Sequence, residues 1–201
     1  MPLQRNDFVA QSLTTVYLSS SQLVDPRTGQ PYRQGGSYRG IYFDLTEEEA
    51  QQYSTSLHEG RYRFVQIDSG ATVANIVQGS VGLMASVSQG INVVTSLDKG
   101  VALGLRKVVF LSSVTAAQLA TPCYVFVQEA GRASVYIKSG QNGSPGDLVV
   151  AASGDGGLCS IPSQSGNPTY ATLKTIVGQA WTSPLSTQLC TVELWNPIEQ
   201  G

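Results

Sequence analysis

Over residues 62–67, Tyr62, Phe64, Val65 and Ile67 stand beside Arg63 and Gln66, a pattern that predicts a half-buried strand. Asp68-Ser69-Gly70 ends it. Further apolar runs at 81–87, 91–95, 106–111, 123–128, 133–138, 147–151, 174–180 and 189–194 are mostly bounded by Gly, Pro, Asn or Asp, so each predicts a strand between turns. About nine or ten short strands at this spacing predict a mainly β fold, a single barrel or sandwich domain spanning 61–201. Closing the sheet would remove exposed edges that a weakly charged surface otherwise leaves sticky. Residues 140–166, rich in Gly and with Pro145 and Pro162, read as an exposed loop region. The segment 113–119 has room for one helical turn before Pro122.

The first sixty residues follow a different pattern and predict an extended N-terminal arm over 1–60 with one short helix. A modest apolar segment at 8–18 precedes a turn at Asp25-Pro26-Arg27-Thr28-Gly29, where Pro26 presets the backbone and Gly29 relaxes the exit. The helix is expected near 46–54. Thr46 and Glu49 have the spacing of a capping box, and Glu47, Glu48 and Glu49 favour the positive end of the helix dipole. Between the turn and the helix, Tyr32, Arg33, Tyr38, Arg39, Tyr42 and Phe43 offer rings and guanidinium groups on little regular structure. Such residues are enriched where proteins touch each other, and these six are the candidate partner-binding residues.

Charge narrows the partners. Only 13% of the 201 residues are charged, and the net charge is -2, about half the charge density of an ordinary soluble domain. No basic field gathers nucleic acid or anionic membrane, so neither is an expected partner. A surface of Ser, Thr, Gln, Asn and Gly suits extended contact with neighbours. The amino terminus has no charged patch followed by an apolar run, so it does not read as a secretory signal. No stretch approaches the roughly 20 apolar residues of a spanning helix. Cys123, Cys159 and Cys190 are widely separated, which suits buried free thiols in a reducing cytoplasm, one disulfide plus a spare thiol being the other arrangement.

Candidate chemistry is sparse, and no catalytic residue, metal ligand or cofactor is assigned. His58 is the single histidine, so any Ser-His or Cys-His pair must use it, and no Gly-x-Ser-x-Gly motif accompanies it. Ser96-Leu97-Asp98-Lys99 matches a Ser-x-x-Lys pattern without its partner motifs. One histidine and scattered cysteines do not make a conventional zinc cluster. Gly154-Asp155-Gly156-Gly157 carries one carboxylate, too few for calcium. Paired acids for glycoside cleavage would come from Asp68, Asp98, Glu129, Asp147, Asp155 and Glu193, of which Asp68, Asp147 and Asp155 are explained as turn residues. Trp181 and Trp195, each at a strand end, are expected to close the ends of the core, exposed sugar platforms being the alternative.

The run Lys174-Thr175-Ile176-Val177-Gly178-Gln179-Ala180-Trp181, followed by Leu189-Cys190-Thr191-Val192-Glu193-Leu194, resembles the ending of small β-barrel decoration (cement) proteins of tailed phages. The pieces 60–66, 124–131 and 146–149 are similar in kind, and the resemblance covers about residues 60–196. It implies a virion protein made in the host bacterial cytoplasm and placed on the outer capsid surface. There it would bind across major capsid proteins, often as a homotrimer, and carry no catalytic residues. The arm would reach to capsid subunits or sister protomers, gaining contact area at the cost of ordering it. The other readings are a carbohydrate-binding tail or surface adhesion module and, third, a hydrolase with dispersed acids.

Overall fold

The computed structural model describes residues 13–17, 42–67, 76–85, 93–96, 107–120, 123–151, 159–161 and 176–195. They form β1 (Tyr42–Leu45), α1 (Glu47–Gln51), β2 (Gly60–Ile67), β3 (Val81–Ala85), β4 (Val93–Ser96), β5 (Lys107–Phe110), α2 (Ala116–Leu119), β6 (Cys123–Tyr136), β7 (Leu148–Ala151), β8 (Cys159–Ser160), β9 (Ile176–Ala180) and β10 (Leu189–Leu194). The mainly β expectation is met. The helix expected near 46–54 forms with its capping box complete. Thr46 Oγ1 accepts from the Glu49 amide, and the Glu49 carboxylate accepts from the Thr46 amide at 2.9 Å. Thr115 and Gln118 repeat the device at α2.

Hydrogen bonding links the strands in the order β1-β2-β4-β3-β5-β6-β10-β9-β7-β8, and β2 also pairs with β6. The pairings β2–β4–β3–β5–β6–β2 therefore close a ring, antiparallel except for the short parallel contact of β2 with β4. The remaining strands continue from the second half of β6, which pairs with β10 from Tyr136 to Arg132. A parallel bridge from Ile137 to Cys159 brings β8 back to the end of β6.

The strand β6 replaces two expected strands, 123–128 and 133–138, with one. Gly131 lies between the two expected strands and takes a left-handed φ of 83°, but it bends the strand without reversing it. The register against β2 shifts between Arg61 and Tyr62, so Glu129 is an extra, bulged residue. Bulges bend and re-aim a strand. Before this one, Cys123, Val125 and Val127 join one core cluster; after it, Ala133, Val135 and Ile137 join another.

Three clusters result. Val65 and Ile67 of β2, Met84 of β3, Val108 and Phe110 of β5 and the first half of β6 fill the ring. The opposite faces of β3 and β5, through Val81, Leu83 and Val109, pack against the second half of β6 with β7 to β10. Tyr62, Phe64, Tyr124 and Phe126, on the outer faces of β2 and β6, are covered by Leu13, Tyr17, Leu45, Ala50 and Leu57. Tyr17 also bridges to Tyr124. The boundary expected at residue 60 is thus not where the core divides. The described residues before it complete the core, because an outer face carrying four aromatic rings needs a cover. Tyr42 and Phe43, expected on little regular structure, instead lie in a strand: β1 pairs with β2, and its alternation turns one face inward.

In the turn from β9 to β10, Thr187 adopts φ 61°, a conformation costly for a β-branched residue. The site is held because the Thr187 amide donates to Ile137 O at 3.0 Å. Thr187→Gly is expected to raise stability by about 1 kcal/mol, read from the midpoint of urea unfolding; an unchanged or lower midpoint would show that the turn carries no strain.

Candidate functional site

Pairing along β1 sorts the predicted contact residues onto two faces. Phe43 lies opposite Tyr62, and its ring stacks on Tyr62 at 6.0 Å and tilts against Phe126 at 5.6 Å, so it belongs with the core. Tyr42, opposite Arg63, points outward and is 53% exposed. Its ring lies 4.7 Å from the Arg61 guanidinium and 5.1 Å from that of Arg63, contacts worth roughly 0.5–1 kcal/mol each at an exposed site. Tyr32, Arg33, Tyr38 and Arg39 lie outside the described residues.

Both arginines are themselves paired. Arg61 binds Asp44 through two bonds of 2.8 and 3.2 Å, and this hydrogen bonding raises its already high pKa. Arg63 binds the bulged Glu129 at 2.6 and 2.8 Å, with Glu129 only 3% exposed. The group is neutral overall and presents a fixed ring, not a charged field. Asp44, Arg61, Arg63 and Glu129 were not predicted as neighbours of Tyr42. Their signal was the period of two in Tyr42-x-Asp44 and Arg61-x-Arg63, legible once β1 is known to pair.

His58 is absorbed into a clasp. Its Nδ1 lies 2.9 Å from Glu47 Oε1 and its Nε2 3.3 Å from Thr191 Oγ1. A carboxylate only accepts, so in the neutral ring Nδ1 carries the proton and Nε2 accepts from the threonine hydroxyl. The other Glu47 oxygen accepts from the Glu59 amide at 2.7 Å, and the His58 carbonyl accepts from the buried Tyr62 hydroxyl. The clasp joins α1, the start of β2 and β10. The His58 bond is the largest influence holding the Glu47 carboxyl below its ordinary range. A depressed carboxyl pKa adds stability above the unfolded pKa, and this is lost as pH falls through the folded value. Glu47→Gln is expected to be less stable than the parent at neutral pH, with the gap closing as pH falls below the ordinary carboxylate range; a gap that persists into acid would sink this account.

The other candidates disperse. Asp147 accepts from the Ser144 amide at 2.8 Å, the expected turn role. Glu193 lies on the outer face of β10, 3.7 Å from Arg132 Nε. Asp68, Asp98, Asp155 and residues 154–157 lie outside the described residues. Among the described residues no cluster of metal-ligating side chains occurs, and no helix is long and apolar enough to cross a membrane. The three cysteines are buried and free. Burial lifts the Cys123 thiol to about 11 and raises Cys159 and Cys190 as well, so none is poised as a thiolate.

The tryptophans depart from expectation. Trp181 is 56% exposed and Trp195 46%, so neither closes the core. Their backbones continue the β9 and β10 ladder, Trp181 N donating to Thr191 O at 2.7 Å and Trp195 N to Val177 O at 2.9 Å. Their side chains follow the solvent-facing alternation of β10, whose inner positions Cys190, Val192 and Leu194 already fill the core. The Arg132 guanidinium lies 4.2 Å from the Trp181 ring and pairs with Glu59 at 3.3 Å.

No protein-family model matches the sequence, and no curated protein matches it either. Among solved structures, the chain is similar to the head fiber gp8.5 N base of bacteriophage phi29, with 16% identity and a TM-score of 0.42, over 67% of this chain and 92% of that one.

Proposed function

We propose that this chain is a structural protein of a phage virion that decorates an icosahedral capsid and stabilises it by binding across neighbouring major capsid proteins. The observation that carries this reading is the division of labour on the described surface. The residues with chemical potential, His58 and Glu129 among them, are consumed by bonds within the fold, while large apolar side chains stand in solvent. A chain of low charge density built in this way acts by contact. The resemblance of 174–194 to decoration proteins supports the capsid as the partner and a homotrimer as the acting form. It also supports the outer capsid surface as the location.

The test is co-purification of the full chain with empty shells of the parent phage, measuring its copy ratio to the shell protein. A fixed ratio set by shell symmetry is expected, and no association at micromolar chain concentration would end the reading. Deleting residues 1–45 is not a clean probe of an arm, since it removes the buried Leu13, Tyr17 and Leu45.

A second reading, a carbohydrate-binding tail or surface adhesion module, is favoured by the exposure of Trp181 and Trp195. It is tested by tryptophan fluorescence during titration with host polysaccharide. The decoration reading expects no response.

A further inference from the structure

Asparagine is a labile side chain, and how labile depends on the residue that follows it. Of the six asparagines, Asn142 alone precedes a glycine. Asn75 and Asn92 precede the β-branched Ile76 and Val93, while Asn167 and Asn196 precede prolines, whose nitrogen has no hydrogen to give up. At Asn142-Gly143 no side chain on the glycine keeps its amide nitrogen away from the carbonyl carbon of the asparagine side chain.

The fold ties down this dipeptide. Asn142 is exposed, so water reaches it. Residues 140–143 are joined to the turn between β9 and β10 by three bonds of 2.9 Å: Gly140 N donates to Ser186 Oγ, Ser186 N to Asn142 Oδ1, and Gly143 N to Pro184 O. The turn is itself anchored where the Thr187 amide donates to Ile137 O at 3.0 Å. Two of these three bonds hold the two groups that would react with each other. A donor on Oδ1 also polarises that carbonyl, but polarisation does not help while the proton of the attacking nitrogen is held on an acceptor too weak to remove it. A further hindrance is electrostatic. A Cβ added to Gly143 would meet Asp147 Oδ2 at 2.8 Å, so a carboxylate already stands beside the place where a second anion would form.

Water is the only other reactant needed. Gly143 N loses its proton to solvent and bonds to Asn142 Cγ, the bond from Cγ to the side-chain nitrogen breaks, and that nitrogen leaves as ammonia, closing a succinimide. Water then adds to one of the two ring carbonyl carbons and breaks its bond to Gly143 N, leaving an aspartate or an isoaspartyl link with a gain of about 1 Da. The isoaspartyl product routes the main chain through one more carbon, which moves Gly143 N away from Pro184 O.

We propose that Asn142-Gly143 is a self-modification site governed by the turn between β9 and β10. Deamidation is held back while 140–143 is tied to 184–186, proceeds when that tie opens locally, and through its isoaspartyl product prevents the tie from closing again. The decoration reading neither requires this modification nor depends on it.

The test follows the full-length chain at mildly alkaline pH, in buffer and in concentrated guanidinium chloride, reading the mass of the peptide that contains residue 142 over time. With each tie worth about fivefold in the open population, the folded parent is expected to deamidate at least about twentyfold more slowly than the unfolded one. Ser186→Ala removes the acceptor of Gly140 N and keeps the backbone donors. It should deamidate about threefold or more faster than the folded parent, with an unchanged circular dichroism spectrum and an equal rate when unfolded. Asn142→Gln, whose longer side chain closes a ring far more slowly, should show no mass gain in this peptide. In the isoaspartyl form, separated by chromatography, hydrogen exchange should find the Gly143 amide unprotected. Equal rates in buffer and denaturant, no mass gain in denaturant, a Ser186→Ala rate equal to that of the folded parent, or retained protection of the Gly143 amide in the isoaspartyl form would each overturn the proposal.

Discussion

Gly131→Ala is expected to destabilise the protein by roughly 3 kcal/mol or more, among the larger effects a single methyl group can have. Two independent costs combine. At φ 83° any Cβ is strained, and the added carbon would meet Glu59 O and lie 2.7 Å from Gly60 Cα. Neither obstacle is the free end of a side chain; both are backbone, at Gly60 and the residue just before it, where β2 enters its pairing with β6. Relief would require β2 to withdraw from Gly60 and Arg61, and the register there also places Arg61 against Asp44. Urea unfolding followed by tryptophan fluorescence measures the change. A loss below about 1 kcal/mol would mean that the crossing of β2 and β6 is looser than the described geometry.

The second large effect is expected at Glu129. With 3% exposure and two bonds to Arg63, itself 14% exposed, it is one half of a buried ion pair. Removing Glu129 takes two short charge-assisted bonds from Arg63 and a nearby carboxylate from Arg61, 3.9 Å away, so Glu129→Ala should cost about 3 kcal/mol. The double variant Glu129→Leu with Arg63→Met removes both charges and keeps the volume, and it should recover most of that loss. If Glu129→Ala alone is nearly neutral, water reaches the pair and the site is not closed. The comparison also isolates the role of Tyr42, because the double variant removes one of the two cations facing that ring.

Most of the strand pattern was readable from short apolar runs bounded by turn residues, as at Tyr62 to Ile67 and Leu189 to Leu194; the first helix was marked by its capping box and the second by the turn that fits before Pro122, while the Thr115–Gln118 cap of the second went unread. Four features were not legible. Residues Tyr42 to Leu45 lack a strong apolar run, and their strand exists because β2 offers an edge, a long-range fact that local pattern does not contain. Glu129 to Arg132 carries turn residues, yet Gly131 serves a bulged continuation, since flanking partners on both sides hold the strand extended. Of the candidate site, Tyr42 was found from composition and Phe43 was grouped with it, although the period of two places them on opposite faces. The exposure of Trp181 and Trp195 was missed because an aromatic residue at a strand end reads equally well inward or outward. Only the cross-strand register, Trp181 against Thr191, decides it.

The shared strand β6 bears on how the molecule comes apart. Its first half belongs to the ring and its second half to the sheet of β7 to β10, so neither half of the protein can release its partner strands without exposing residues of the other. Opening that in a two-module protein would be local becomes global here. On the decoration reading proposed above, a protein held on a shell under internal pressure would gain from having no weaker half, because a load applied at one end is carried along β6 to hydrogen bonds at the other.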